Sequence, residues 1–186
     1  VDPADPKKAD RDRFVLSKGH TAPGLYSTLA QRGFFPVEDL KTLRKIDSYL
    51  QGHPNMNTVP GVDMSTGSLG QGISIAAGMA LGAKKTGNPC HVFTIIGDGE
   101  SQEGLVWEAS MAAAHYALDN LTVIFDHNKM QIDGTNDDGV YMRFTESWRS
   151  VKTDGWAISK AGVGDDQNKL YAALKLIDYA YSYEGQ

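Results

Sequence analysis

Val92-Phe93-Thr94-Ile95-Ile96-Gly97-Asp98-Gly99 decides how this chain folds. A short β-branched and aromatic run that stops at a glycine is the pattern of a buried strand. The alanine-rich stretch Glu103 to Leu118 has no glycine after Gly104 and is apolar around most of its circumference, which predicts a largely buried helix. Leu121 to Phe125 is a second β-type run, ending in Asp126-His127-Asn128. Strand, helix and strand in succession form a crossover that requires parallel strands and a right-handed connection. The expected fold is α/β, three layers (α/β/α) around a mostly parallel sheet.

Outward from this unit, residues 73–83 are small and apolar on all sides, as in a tightly packed helix. Residues 51–72 hold Gly52, Gly61, Gly67, Gly70 and Gly72 with Pro54 and Pro60, and read as a long loop. Loops of that length are uncommon without a function. Residues 23–32 and 36–46 each look helical: Pro23 suits a first turn, Gly33 marks a stop, and Leu40, Leu43 and Ile46 are spaced for one buried stripe. Residues 1–13 are proline-rich and charged and read as an extended surface lead-in. Past residue 135 the signal fades, with Gly155 to Ile158 as a candidate strand and 167–181 as a candidate helix capped by Asp165 or Asp166. Without repeats or low-complexity segments, residues 1–186 read as one domain.

Composition narrows the function classes. Apolar residues make up 41% and charged residues 22%, the balance of a globular protein rather than a disordered chain. No apolar stretch approaches the roughly 20 residues that span a bilayer, so no membrane role is expected. A net charge of −5 argues against a broad nucleic-acid surface. One cysteine, Cys90, fits a reducing compartment, and the expected location is cytoplasmic. Gly 20 is high for this length, and most of the glycines fall between Gly52 and Gly104. They serve either a small-molecule site built from loops or tight turns in a compact fold.

In a parallel sheet, ligands bind beyond the carboxyl ends of the strands. Asp98 ends the first strand of the crossover and Asn128 the second, so both would face one crevice. Hard oxygen donors suit Mg²⁺ or Ca²⁺ better than Zn²⁺. Mg²⁺ usually shares its shell with phosphate oxygens and water, which makes a magnesium-held diphosphate the implied ligand. Gly97 and Gly99 would let the backbone approach that phosphate. A dinucleotide loop is the rival, but Gly97 to Gly104 lacks the third glycine at the needed position. It also places Asp98, Glu100 and Glu103 where a bare pyrophosphate would meet negative charge, so a metal must intervene.

These residues resemble the metal and cofactor motif of thiamine-diphosphate enzymes. In particular, they resemble the diphosphate-binding domain of transketolase, closest to the split form made of two chains. The resemblance is carried by four ordered blocks: Ser17-Lys18-Gly19-His20, Gly52-His53-Pro54, Pro60 to Gly72, and Gly97 to Gly104. It implies thiamine diphosphate with Mg²⁺ (Ca²⁺ or Mn²⁺ as substitutes) held by Asp98, Asn128 and the Met130 carbonyl. It further implies cofactor contacts from His20, Gly67, Leu69, Gly97, Gly99 and Glu100. His20, His53 and Glu103 take catalytic roles, the histidines near the sugar and Glu103 facing the partner domain. His127 stands where the family commonly has asparagine. The activity so implied is transfer of a two-carbon ketol unit between phosphosugars, in the pentose phosphate pathway.

Taken one by one, His20 also fits a surface or capping histidine, and Glu103 a helix N-terminus. His91 and His115 read as structural, and Trp107, Trp148 and Trp156 as core or interface residues. An early family segment, Gly-His-Pro-Gly, would lie before Val1, and the late blocks are not recognisable after Gly134. The pyrimidine-binding domain has no counterpart in these residues. The resemblance therefore implies a pyrimidine-domain partner subunit, with homodimerisation to a heterotetramer through small-residue helices. The alternatives are a non-catalytic fragment or scaffold, or a related enzyme such as a deoxyxylulose-phosphate or dihydroxyacetone synthase.

Overall fold

The computed structural model of the chain describes residues 3–128 and, beyond them, the backbone of strand segments 130–131, 134–135, 148–150 and 156–159. The crossover forms as expected. β2 (Val92–Gly97) and β3 (Leu121–Asp126) pair in parallel, Val92 beside Leu121 and Gly97 beside Asp126, joined through α3 (Gly104–His115).

β1 (Arg13–Leu16) lies parallel to β2 on its other side, Arg13 beside Val92 and Leu16 beside Ile95. The sequence marks this strand poorly, because it is four residues long and its first two are only half-buried. Two antiparallel strands, β6 (Trp148–Ser150) and β7 (Trp156–Ser159), extend the sheet to the order β1-β2-β3-β7-β6. The strand expected at 155–158 is thus β7, but it runs against β3. A separate ladder joins β4 (Met130–Gln131) to β5 (Gly134–Thr135). The helix expected at 167–181 and its caps lie outside the described residues.

Two apolar cores hold the described part together. In the larger, Ile73, Ala76, Ala77 and Ala80 of α2 (Gln71–Thr86) and Val106 and Ala109 of α3 pack on Val15, Val92, Ile96, Leu121, Val123 and Phe125. Strand side chains alternate between faces, and Leu16, Ile95 and Ile124 of the opposite face are buried too. Alanine on α2 lets the helix sit close to the sheet. The smaller core joins Tyr26, Leu29 and Ala30 of α1 (Ala22–Gln31) to Leu50, Val59 and Val62 of the long loop. That loop is irregular up to Gly70, as expected, but its anchors make it part of the fold.

Several expectations are corrected. Residues 36–46 form only a 3-10 turn at Val37–Thr42; Arg44 and Asp47 take left-handed backbone conformations that end any helix, and Ile46 is 92% exposed. Periodicity alone cannot tell a short α-helix from a turn stapled by Leu40 and Leu43 against the smaller core. Neither α2 nor α3 is buried on all sides: Gly78 and Gly82 face open space, as do Leu105, Trp107 and Met111. The lead-in is not extended. It turns at Asp5–Lys8 and Lys8–Arg11, and Arg11 forms a buried ion pair with Asp63, whose Oδ2 also accepts the Phe14 amide at 2.8 Å.

Candidate functional site

At the carboxyl ends of β2 and β3 the chain reverses through Asp98 and through His127-Asn128. Asp98 is 3% exposed, and its Oδ1 accepts a hydrogen bond from His127 Nδ1 at 2.7 Å. Its carbonyl accepts the Ser101 amide at 3.0 Å, which starts the 3-10 turn Glu100–Gln102 leading into α3. Asn128 Nδ2 donates to Asp126 Oδ2 at 3.2 Å, and the Lys18 ammonium pairs with the same oxygen. A carboxylate oxygen can accept only from the NH₂ side of the amide. The orientation of Asn128 is therefore fixed by chemistry, and Oδ1 is the atom it can offer to a cation.

One buried carboxylate and one carboxamide make a hard-oxygen donor set that leaves most of an octahedron to phosphate and water. Among the described residues no group of three or more His, Cys, Asp and Glu could hold a metal. Carboxylate and carboxamide oxygens are the donor chemistry of a hard cation shared with a phosphorylated ligand. Met130 lies in β4, its backbone paired with Thr135.

The glycines of this region pack loop on loop. A Cβ on Gly19 would lie 2.6 Å from the Thr66 carbonyl carbon, and one on Gly67 would lie 2.8 Å from His53 Cδ2. One on Gly70 (φ +83°) would lie 2.8 Å from Glu103 Cβ, and one on Gly72 2.5 Å from Ser17 Cα. These contacts draw the His20, His53, Gly67–Gly70 and Glu103 segments against one another. Of the two readings of the glycine-dense middle, these contacts show the tight packing, which brings the loops together.

His20 and His53 are both exposed, and His53 lies close enough to disfavour protonation of His20. Partial burial first, and then the Lys18 ammonium, hold the His20 pKa below its ordinary value, with Glu100 pulling the other way. Tyr26, fully buried, shares its hydroxyl between the Gln51 and His53 carbonyls at 2.9 and 3.0 Å, tethering the His53 loop from below. Leu69 is half-buried beside them. Glu103 immediately precedes α3, is exposed, and makes no capping hydrogen bond.

Glu100 is turned inward. It is 2% exposed, and both of its oxygens are occupied by Ser17, Gly70 and Gly97. Ser17, Lys18, Tyr26 and Asp126 carry site geometry that the motifs did not assign to them; the available signal was charge and hydroxyl groups abutting the strand ends. His91 is buried and pairs with Thr122 Oγ1 at 2.8 Å, a structural role. Trp107 is 41% exposed, its Nε1 donating to the Ser101 carbonyl at 3.0 Å. The side chains of Trp148 and Trp156 lie outside the described residues.

Asp98 and Asn128, just past the carboxyl ends of two adjoining parallel strands, stand where α/β domains of this kind take their ligands. The family described as "Transketolase, thiamine diphosphate binding domain" matches residues 1–181. The chain is 44% identical over 176 residues to a subunit of 6-deoxy-6-sulfo-D-fructose transketolase from a Clostridium species, covering 94% of the chain and 62% of the relative. It is 39% identical over 178 residues to one of the subunits of apulose-4-phosphate transketolase from Phocaeicola vulgatus, covering 95% and 62%. Among solved structures it superposes on transketolase from Leishmania mexicana with a TM-score of 0.74 at 35% identity, covering 77% of the chain and 23% of that structure. The chain belongs to the transketolase thiamine diphosphate-binding domain family. It spans somewhat under two thirds of the length of the two subunits it matches. No described helix is long and apolar enough to cross a membrane.

Proposed function

We propose that this chain is the diphosphate-binding subunit of a split, transketolase-type enzyme that moves a two-carbon ketol unit from a ketose phosphate to an aldose phosphate. The observation that carries this is the buried Asp98 carboxylate just past the end of β2, with the Asn128 amide just past the adjoining β3 bonded to Asp126, which itself pairs with Lys18. The two relatives above are named as subunits, which supports a separate pyrimidine-domain partner. Their names also place such subunits on sulfofructose and on apulose phosphate, so a role in the pentose phosphate pathway is one member of a wider substrate range.

Thiamine diphosphate, when bound, supplies the stabilised carbanion that the ketol transfer needs. The chain's own residues do the holding and the proton handling. Asp98, Asn128 and the Met130 carbonyl would hold Mg²⁺, and the Gly97–Gly99 backbone would lie against the diphosphate. Gly67 and Leu69 would line the ring side. His20, whose pKa partial burial and Lys18 hold below its ordinary value, can take a proton from a sugar hydroxyl, with His53 beside it. Glu103 stands exposed toward a partner, where it would position the glutamate that protonates the pyrimidine.

Titration calorimetry with thiamine diphosphate plus Mg²⁺, with and without EDTA, alone and with a pyrimidine-domain partner, tests this proposal. Magnesium-dependent binding that tightens with the partner is expected. No binding under either condition overturns this reading in favour of a non-catalytic scaffold.

A further inference from the structure

We propose that Glu100 is a positioning residue whose buried carboxylate bolts together the three loops of the cofactor cradle. The proposal rests on the function proposed above but places Glu100 behind the cofactor rather than against it. Its Oε1 accepts the Gly70 amide at 2.9 Å and the Ser17 hydroxyl, and its Oε2 accepts the Gly97 amide at 3.1 Å.

Each donor is next in sequence to a residue of the site. Ser17 precedes Lys18-Gly19-His20, Gly70 follows Leu69, and Gly97 precedes Asp98. One side chain thus joins segments 83 and 30 residues away to the Asp98 turn. The close contact of Gly72 with Ser17 and of Gly70 with Glu103 lets the three segments meet at this point.

Burying a carboxylate is costly unless its oxygens are satisfied, and here neutral donors from separate loops satisfy both. The donors demand acceptors on both oxygens. Glutamine would turn an NH₂ toward the amide of Gly97 or Gly70, leaving two donors face to face. Aspartate falls one methylene short of Ser17 and Gly70. A carboxylate of glutamate length is the group that fits, and loosening it releases His20, Leu69 and Asp98 relative to one another.

Glu100→Gln and the milder Ser17→Ala, each in the full chain, test this. Without any ligand, amide hydrogen exchange at Gly70 and Gly97 should accelerate about tenfold or more in Glu100→Gln, the scale of one unmade buried hydrogen bond. With thiamine diphosphate and Mg²⁺, at a temperature where each variant is fully folded, affinity should fall about tenfold in Glu100→Gln and by a smaller factor in Ser17→Ala. A folded variant with a lower melting temperature but unchanged affinity overturns the proposal, because a merely structural residue behaves that way. If Glu100→Gln does not fold, Ser17→Ala decides by the same two readouts. If the wild-type chain binds no cofactor either alone or with a pyrimidine-domain partner, the functional assignment fails. The exchange rates at Gly70 and Gly97 then decide the bolt alone: acceleration supports it, and no change overturns it.

Discussion

Asp98 carries the most weight at the scale of single residues. A buried carboxylate that faces a hard cation cannot be replaced by a methyl group without losing the charge that balances the metal. Asp98→Ala should abolish magnesium-dependent binding of thiamine diphosphate, read by calorimetry, and full retention in the variant would remove the metal site from this crevice. His20 carries a pH dependence. Burial, and then Lys18, lower its folded-state pKa, so the unfolded chain binds the proton more readily. Its contribution to stability is then fully present above the unfolded value of about 6.5 and lost as the pH falls through the folded one. Urea unfolding at a series of pH values across this window should show a steeper loss for the wild type than for His20→Gln. Equal slopes would mean that His20 titrates as an ordinary surface histidine.

Glycine does two opposite things at the scale of an element, and both sit on α2. Gly72 meets the Ser17 backbone, which cannot swing aside, so Gly72→Ala should cost at least the ~1–3 kcal/mol typical of overpacking. Gly78 has nothing within 4 Å of the position a Cβ would take and lies within the helix, so Gly78→Ala should stabilise by about 0.5–1 kcal/mol. Chemical denaturation of the two variants side by side reads both signs. A loss at Gly78 would mean that the outer face of α2 is covered in solution. The composition of this helix announced small-residue packing but not which glycines are clamped, because that depends on a strand more than fifty residues earlier in the chain.

Exposed apolar side chains on α3 bear on assembly at the scale of the whole molecule. Leu105, Trp107 and Met111, with Tyr116 just past the helix, are 36–65% exposed. Trp107 and Met111, one turn apart, share a side of α3, and an exposed apolar pair there suggests a contact with another chain. Met111, at 65%, can be changed with little effect on folding. Under the proposed homodimerisation, Met111→Glu should shift the chain toward monomer in sedimentation velocity while leaving its circular dichroism unchanged. A wild type that is already monomeric, or a variant that still dimerises, removes this face from the interface.

The chain order of the crossover, its parallel pairing and the placing of Asp98 and Asn128 at adjoining strand ends were legible in the sequence. Each rests on local periodicity and on a chirality rule that needs no distant contact. The blocks around His20, His53 and Gly67 were legible only through their resemblance to transketolase, not through periodicity. Tertiary structure alone decided that β1 completes the parallel part of the sheet, that β7 joins it antiparallel, and that α3 leaves Trp107 and Met111 exposed. It also decided that Glu100 points inward to Ser17, Gly70 and Gly97, that Asp126 sets the orientation of Asn128, and that Lys18 pairs with Asp126. Those are pairings between residues far apart in the chain, and the energy of a buried charge depends on which distant donors reach it.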